Sequence, residues 1–210
     1  GLLYAPTHPC VCYTREKLKG FNAVSGAITE QYRRTTPPPG PALERGPAFG
    51  KSLGDAADAD DWPTYRSDNM RTGSVSAEMP RAVQTSWEKD LGGTLSPPVV
   101  AAGKLFVSRV DSHHILAFDA ADGDRLWEFA AGARIDSPPT YYDGMVLFGS
   151  TDGWAYCLRA SDGALAWKFR GGPEDRRMGS YGQIESVWPV HGSILVQDGT
   201  AYFSVGRSSH

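Results

Sequence analysis

The chain has 210 residues and a net charge of −3, so no basic surface points to nucleic acid or to an anionic membrane as a partner. Its 24 glycines and 15 prolines accompany little helical periodicity, which describes a turn-rich all-β protein, and no run approaches the roughly 18 apolar residues of a membrane span. Three cysteines, an odd number, make no disulfide framework, and a first residue that is Gly rather than Met predicts a processed or excised piece of a longer chain.

Residues 1–24 read as the remnant of a repeat unit met in full further on. Gly1-Leu2-Leu3-Tyr4-Ala5 matches Gly103-Lys104-Leu105-Phe106-Val107, and Leu18-Lys19-Gly20-Phe21-Asn22-Ala23 matches Ile115-Leu116-Ala117-Phe118-Asp119-Ala120. Between them, His8, Cys10 and Cys12 bring three soft ligands into one connection. Imidazole and thiolate suit Zn or Cu(I), with a fourth ligand required from elsewhere. Two partly buried thiols in a loop are the competing reading. Residues 25–60 then change character: Pro37-Pro38-Pro39-Gly40-Pro41 is a polyproline-type stretch, and the whole segment is expected to be an extended connector. A structured surface excursion is its alternative.

Asp61-Trp62-Pro63-Thr64-Tyr65-Arg66 opens the second unit, and residues 82–90 are expected to form a strand carrying Trp87. From there the chain repeats. Ser96-Pro97-Pro98 returns as Ser137-Pro138-Pro139 after 41 residues, and Trp87, Trp127 and Trp167 stand 40 apart within Trp-Glu-Lys, Trp-Glu-Phe and Trp-Lys-Phe. Asp143-Gly144, Asp152-Gly153 and Asp162-Gly163 punctuate short apolar runs, and Asp-Gly is a strong hairpin signal because both residues tolerate positive φ. A period near 40 residues with about four short strands per repeat means a β-propeller built of four-stranded antiparallel blades. One blade cannot cover both of its own faces, so blades stack side by side. Residues 95–130 and 137–170 are two whole blades, residues 191–210 begin a third at the Asp198-Gly199 turn, and the ring is incomplete over this chain. The remaining blades are expected from the rest of a longer protein.

Between the second and third blades, residues 171–190 form a link longer than the others. It holds Arg176, Arg177, Tyr181, Gln183, Glu185 and Trp188, and this charged, aromatic loop is the candidate partner-binding element. A solvated surface loop is the plain alternative. Asp111, His113 and His114 lie in a turn one residue longer than its counterpart and read as an exposed hairpin tip. Cys157 stands where the previous blade has Ala117, mid-strand, and reads as a small buried hydrophobe. The Asp-Gly pairs read as turn residues, since no Asp-x-Asp-x-Asp-Gly calcium loop is present.

The blade pattern, from Gly-Lys-Leu-Phe-Val at 103–107 through Asp122-Gly123 to Leu126-Trp127-Glu128-Phe129, resembles the repeat of the pyrrolo-quinoline-quinone (PQQ) propeller family. Asp61-Trp62-Pro63-Thr64-Tyr65-Arg66 also looks like the opening segment of many bacterial members. The resemblance spans Trp62 to Arg207. The family holds quinoprotein alcohol dehydrogenases and non-enzymatic relatives, among them an outer-membrane assembly lipoprotein. It implies an exported protein, periplasmic, membrane-associated or extracellular. For an enzyme it would imply PQQ, calcium held by carboxylate and amide oxygens, an Asp base and, commonly, a ring between adjacent cysteines. Here Val11 separates Cys10 from Cys12, there is no Cys-x-x-Cys-His for haem, and the blades show no evident calcium set. The expected function is therefore a binding or scaffold module for a protein or extracellular polymer, without catalysis in this segment. Part of a quinoprotein alcohol dehydrogenase is the alternative.

Overall fold

The structure is a computed structural model that describes residues 2–5, 22–25, 42–51, 54, 56–78 and 80–207. Its regular elements are all β. The first blade is β4 (Val99–Ala101), β5 (Lys104–Arg109), β6 (His114–Asp119) and β7 (Arg125–Ala130), paired in that order and antiparallel. The second is β8 (Thr140–Tyr142), β9 (Met145–Gly149), β10 (Trp154–Arg159) and β11 (Leu165–Arg170), again in chain order. Each strand joins the next by a tight turn, as Gly-rich punctuation and strands of three to six residues dictate. β14 (Leu195–Gln197) and β15 (Thr200–Tyr202) form a separate two-stranded antiparallel hairpin after the second blade. Among the described residues the ring is not closed, and no helix is long and apolar enough to cross a membrane.

Blade packing explains why the middle strands read as almost continuous apolar runs. β9 and β10 are buried on both faces because a neighbour covers each. Between the two blades lie Val99, Phe106, Ile115, Trp127, Phe148 and Tyr156, with the Phe148 and Tyr156 rings stacked at 5.1 Å. The far face of the second blade packs Leu147, Ala155 and Cys157 against Val190 at the end of the 171–190 link, Ile194 just before β14 and Val196 within it. The opposite face of the first blade packs Val107, Leu116 and Phe118 against Leu91.

One device locks the blades in sequence. Trp127 Nε1 donates to the carbonyl of Ala160 at 2.8 Å, and the Trp127 ring covers Gly163, where an added Cβ would meet ring carbon at 2.7 Å. Trp87 does the same one repeat earlier, donating to Ala120 at 3.0 Å and covering Gly123. No strand forms over residues 82–90, contrary to expectation. A strand needs a neighbour for its main-chain hydrogen bonds, and none lies beside this segment among the described residues. The Trp87 side chain retains its seat, and Lys89 Nζ donates to the carbonyl of Gly123 beside it. Trp167 lines an apolar groove of about 450 Å³ with Leu43, Phe49, Phe169, Ala201 and Phe203.

Two further expectations, on the connector and on the Asp-Gly turns, meet differences. The connector over residues 25–60 is structured in part: β3 (Leu43–Arg45) adds to the outer edge of β11, and Ala48 is fully buried beneath it. Leu43 and Phe49 supply the apolar contact that a polar linker lacks. Residues 61–66 run along the inner strands, with Trp62 exchanging both main-chain hydrogen bonds with Val100 and Pro63 accepting from Tyr141 N at 2.7 Å. Only some Asp-Gly turns put both residues at positive φ: Asp143-Gly144 and Asp198-Gly199 do, whereas Asp152 and Asp162 do not. In those two the carboxylate accepts from the N–H two residues on, Trp154 at 3.0 Å and Ala164 at 3.1 Å, which closes the turn through the side chain. In the opening segment β1 (Leu2–Ala5) pairs antiparallel with β2 (Asn22–Ser25). His8, Cys10 and Cys12 lie outside the described residues, as do residues 26–41 of the connector.

Candidate functional site: a pinned hairpin on the loop face

Strand direction alternates within a blade, so the β5–β6, β7–β8 and β9–β10 connections and the 171–190 link all leave from one end. Main-chain bonds knit them into one surface: Ala131 N to His113 O at 2.8 Å, Thr151 N to Arg134 O at 2.9 Å, and Ser186 N to Thr151 O at 2.7 Å. The 171–190 link is not an irregular loop. It folds into β12 (Arg177–Ser180) and β13 (Gln183–Ser186), joined through Tyr181 and Gly182 at φ 52° and 75°. Two successive positive φ values are the geometry of a type I′ turn. Tyr-Gly, unlike Asn-Gly or Asp-Gly, does not announce one.

The hairpin is pinned by charge. Glu185 has no exposed surface, and its two carboxylate oxygens are taken by different guanidiniums. Arg134 reaches Oε1 through Nε at 2.8 Å and Nη2 at 2.6 Å, and Arg207 reaches Oε2 at 2.6 Å. Arg134 comes from the β7–β8 link and Arg207 from the chain beyond β15, so one carboxylate ties three separated segments together. Arg134 also stacks on Tyr181, 4.8 Å from the ring centre. Gln183 reaches the first blade: His113 Nε2 and Gln183 Oε1 are 2.8 Å apart, and Gln183 Nε2 donates to the carbonyl of Asp111.

A second buried carboxylate lies beneath. Asp152 accepts from Gly132 N at 2.9 Å, Trp154 N at 3.0 Å and Tyr156 Oη at 2.5 Å. Burial pushes its carboxyl above the usual range despite these donors, and burial together with the Asp152 charge pushes the Tyr156 phenol up. A third link is His191 Nδ1 to Asp136 Oδ2 at 2.8 Å. Burial would raise Asp136, but the His191 hydrogen bond and charge, with the Ser137 hydroxyl, hold it below the ordinary carboxylate value.

The six candidate residues therefore divide. Tyr181, Gln183 and Glu185 point into anchoring contacts, and a fully buried Glu185 has no surface to offer a partner. Arg176 and Arg177 are exposed, paired with Glu174 and Asp175 at 2.6 and 2.9 Å, and Arg176 lies over the half-buried Trp188. Ile184, not singled out in the sequence, is 66% exposed on the same hairpin. Arg134, Arg207, Asp152 and Asp136 were also illegible as site residues. Their cross-segment partners lie 20 to 55 residues away, and only the fold joins them. His113 and His114 do not act as a pair: His113 bonds Gln183, whereas His114 faces Glu128 at 3.5 Å.

These carboxylates do not fit a calcium–quinone centre. Both oxygens of Glu185 are engaged by guanidiniums and Asp152 is filled by two amides and a phenol, so a cation would have to displace them. No group of three or more His, Cys, Asp or Glu side chains stands together among the described residues.

Comparison with known proteins agrees with the repeat geometry. A family model described as outer membrane protein assembly factor BamB matches residues 71–203. Proteins of that name from Moranella endobia and Nitrosomonas eutropha are 29% identical over 92 residues and 30% identical over 84. The matches cover 39% and 40% of this chain but only 24% and 20% of those proteins, so the chain spans about a quarter of the curated relatives' length. The quinohemoprotein alcohol dehydrogenase of Comamonas testosteroni superposes with a TM-score of 0.55 at 22% identity, covering 72% of this chain and 24% of that one, a likeness of fold. Repeats of 40 residues, Trp seats on successive blades and a family match across more than half the chain lead to one assignment: the chain belongs to the PQQ-like propeller repeat family described as outer membrane protein assembly factor BamB.

Proposed function

We propose that this chain is a binding segment of a PQQ-like propeller, holding a rigid hairpin out to a protein or extracellular-polymer partner, with a protein the better fit. The observation that carries this reading is the division of labour along β12 and β13. One set of side chains fixes the hairpin through a fully buried carboxylate between two guanidiniums, and the other leaves Arg176, Arg177 and Ile184 in solvent. A preorganised element loses little conformational freedom on binding, and an apolar side chain flanked by Arg is the composition of a contact hot spot. The relatives are named for assembly of outer-membrane proteins, and a place at the outer membrane, facing the periplasm, belongs to the same proposal.

The test is capture of envelope proteins by the purified chain and by an Arg176→Ala/Arg177→Ala/Ile184→Ala variant. A partner retained by the first and lost from the second, with unchanged thermal unfolding, supports the reading. Equal capture by both removes the hairpin from the interface. Dye-linked alcohol oxidation after addition of PQQ and Ca²⁺ would return the chain to the dehydrogenase side of its family.

A further inference from the structure

β11 is the last strand of its blade but not the edge of its sheet. β3 lies against it, antiparallel, with Leu43, Glu44 and Arg45 opposite Phe169, Lys168 and Trp167. Arg170 N donates to Ala42 O at 2.7 Å and Gly46 N to Ala166 O at 2.8 Å, so residues 166, 168 and 170 turn their main-chain groups outward. Glu44 meets Lys168 at 3.0 Å on the same face. The outer edge of a blade in this protein thus accepts an extended segment, and a charge pair marks the register.

β7 is the same strand one repeat earlier. Its pairing with β6 reproduces that of β11 with β10 at an offset of 40, down to the shift after Ala117 and Cys157. By that equivalence the main-chain groups of Leu126, Glu128 and Ala130 face outward, and among the described residues no strand pairs with the outer edge of β7. Leu126 is 43% exposed. The charge is inverted, since Glu128 stands where Lys168 stands in β11. Glu128 already touches Arg125 at 2.8 Å and His114 at 3.5 Å, but Arg125 is 58% exposed and such a surface pair holds weakly.

We propose that the outer edge of β7 is a docking strand for an extended segment of a partner protein that carries Lys or Arg where β3 carries Glu44. Main-chain hydrogen bonds supply the affinity, as in other strand additions, and Glu128 supplies the selection. The inversion also keeps β3 on its own blade, because Glu44 set against β7 would face Glu128.

The probes are two fluorescent peptides of residues 42–50, one native and one with Glu44→Lys, titrated into the whole chain at low salt. The tethered β3 holds the β11 edge at high effective concentration, so the peptides report on β7. The Glu44→Lys peptide is expected to bind at least ten-fold more tightly than the native one, and to slow amide exchange at Glu128 and Ala130. Glu128→Lys is expected to reverse the preference, and Glu128→Gln to abolish it, with unfolding midpoints confirming that both fold. Equal binding of the two peptides, a preference untouched by Glu128→Lys, or no binding of either overturns the proposal. So does concentration-dependent self-association lost on Glu128→Lys, which would give the edge to a second copy of the chain.

Discussion

Replacing Glu185 by Ala removes the carboxylate that joins Arg134, Arg207 and the β12–β13 hairpin. Breaking a buried pair by deleting one partner costs about 3–5 kcal/mol, because the other charge is left without compensation. Arg134 and Arg207 retain 14% and 13% of their side-chain exposure and can recover part of their hydration, which puts this case at about 3 kcal/mol. The loss falls on the hairpin first. Among the described residues β12 and β13 pair as strands only with each other, whereas β9 and β10 lie between covered faces. Amide exchange at Met178 and Gln183, whose N–H groups lie in the hydrogen-bonded pairs of the hairpin, is therefore expected to accelerate by about 100-fold, since about 1.4 kcal/mol is a factor of ten. Exchange in β9 and β10 should be nearly unchanged. Replacing Glu185, Arg134 and Arg207 together by Leu or Met should recover most of the loss, because no buried charge remains. Hairpin exchange within three-fold of wild type in Glu185→Ala would refute the pin, and equal acceleration of β9 and β10 would refute its local character.

Three other outcomes follow from the geometry. Gly163→Ala combines φ of 72° with a Cβ placed 2.7 Å from the Trp127 ring, and should lower stability by about 1–3 kcal/mol more than Gly103→Ala, where φ is 69° and nothing lies within 4 Å; thermal unfolding of the two variants compares them. Asp136 has its carboxyl lowered in the folded state, so it contributes stability above its unfolded value of about 3.9 that is lost as pH falls through the lower folded value. Urea midpoints measured from pH 6 down to pH 2 should fall less steeply in Asp136→Asn. Burial pushes the Cys157 thiol up to about 12, so peptide mapping after iodoacetamide at pH 8 should find Cys157 alkylated only once the chain is unfolded; rapid labelling of the folded chain would contradict its burial.

What the sequence disclosed was whatever repeats. Asp-Gly turns, Trp127 and Trp167 at a 40-residue interval, and Cys157 in the place of Ala117 each appear twice or more, and a repeated local pattern reports a local structure. Two residues broke that inference. Trp87 keeps the interval without a strand, because a strand depends on a neighbour and a tryptophan seat depends on one turn. Asp152 looks like Asp143 and Asp162 but is buried, because the β7–β8 link brings Gly132 over it. The loop face was located but its chemistry was not. Glu185 in a charged, Gly-rich link reads as solvated, and only the approach of Arg134 and Arg207 from other segments turns it into an interior anchor. β3 was hidden for a related reason: three residues in a Pro-rich stretch carry no periodicity, and their partner lies more than a hundred residues away.

The seating of Trp87 and Trp127 on the turn of the following repeat has a consequence for how such a chain can grow. The key sits at the trailing end of one unit and the keyhole, a Gly-bearing turn, sits in the next. Any duplicated block of about 40 residues therefore carries one of each, whatever point the duplication starts from. A new unit inserted by gene duplication would fit both its neighbours without a compensating change in either. The rule for joining units is written inside the unit, which leaves the connections on the loop face open to diverge.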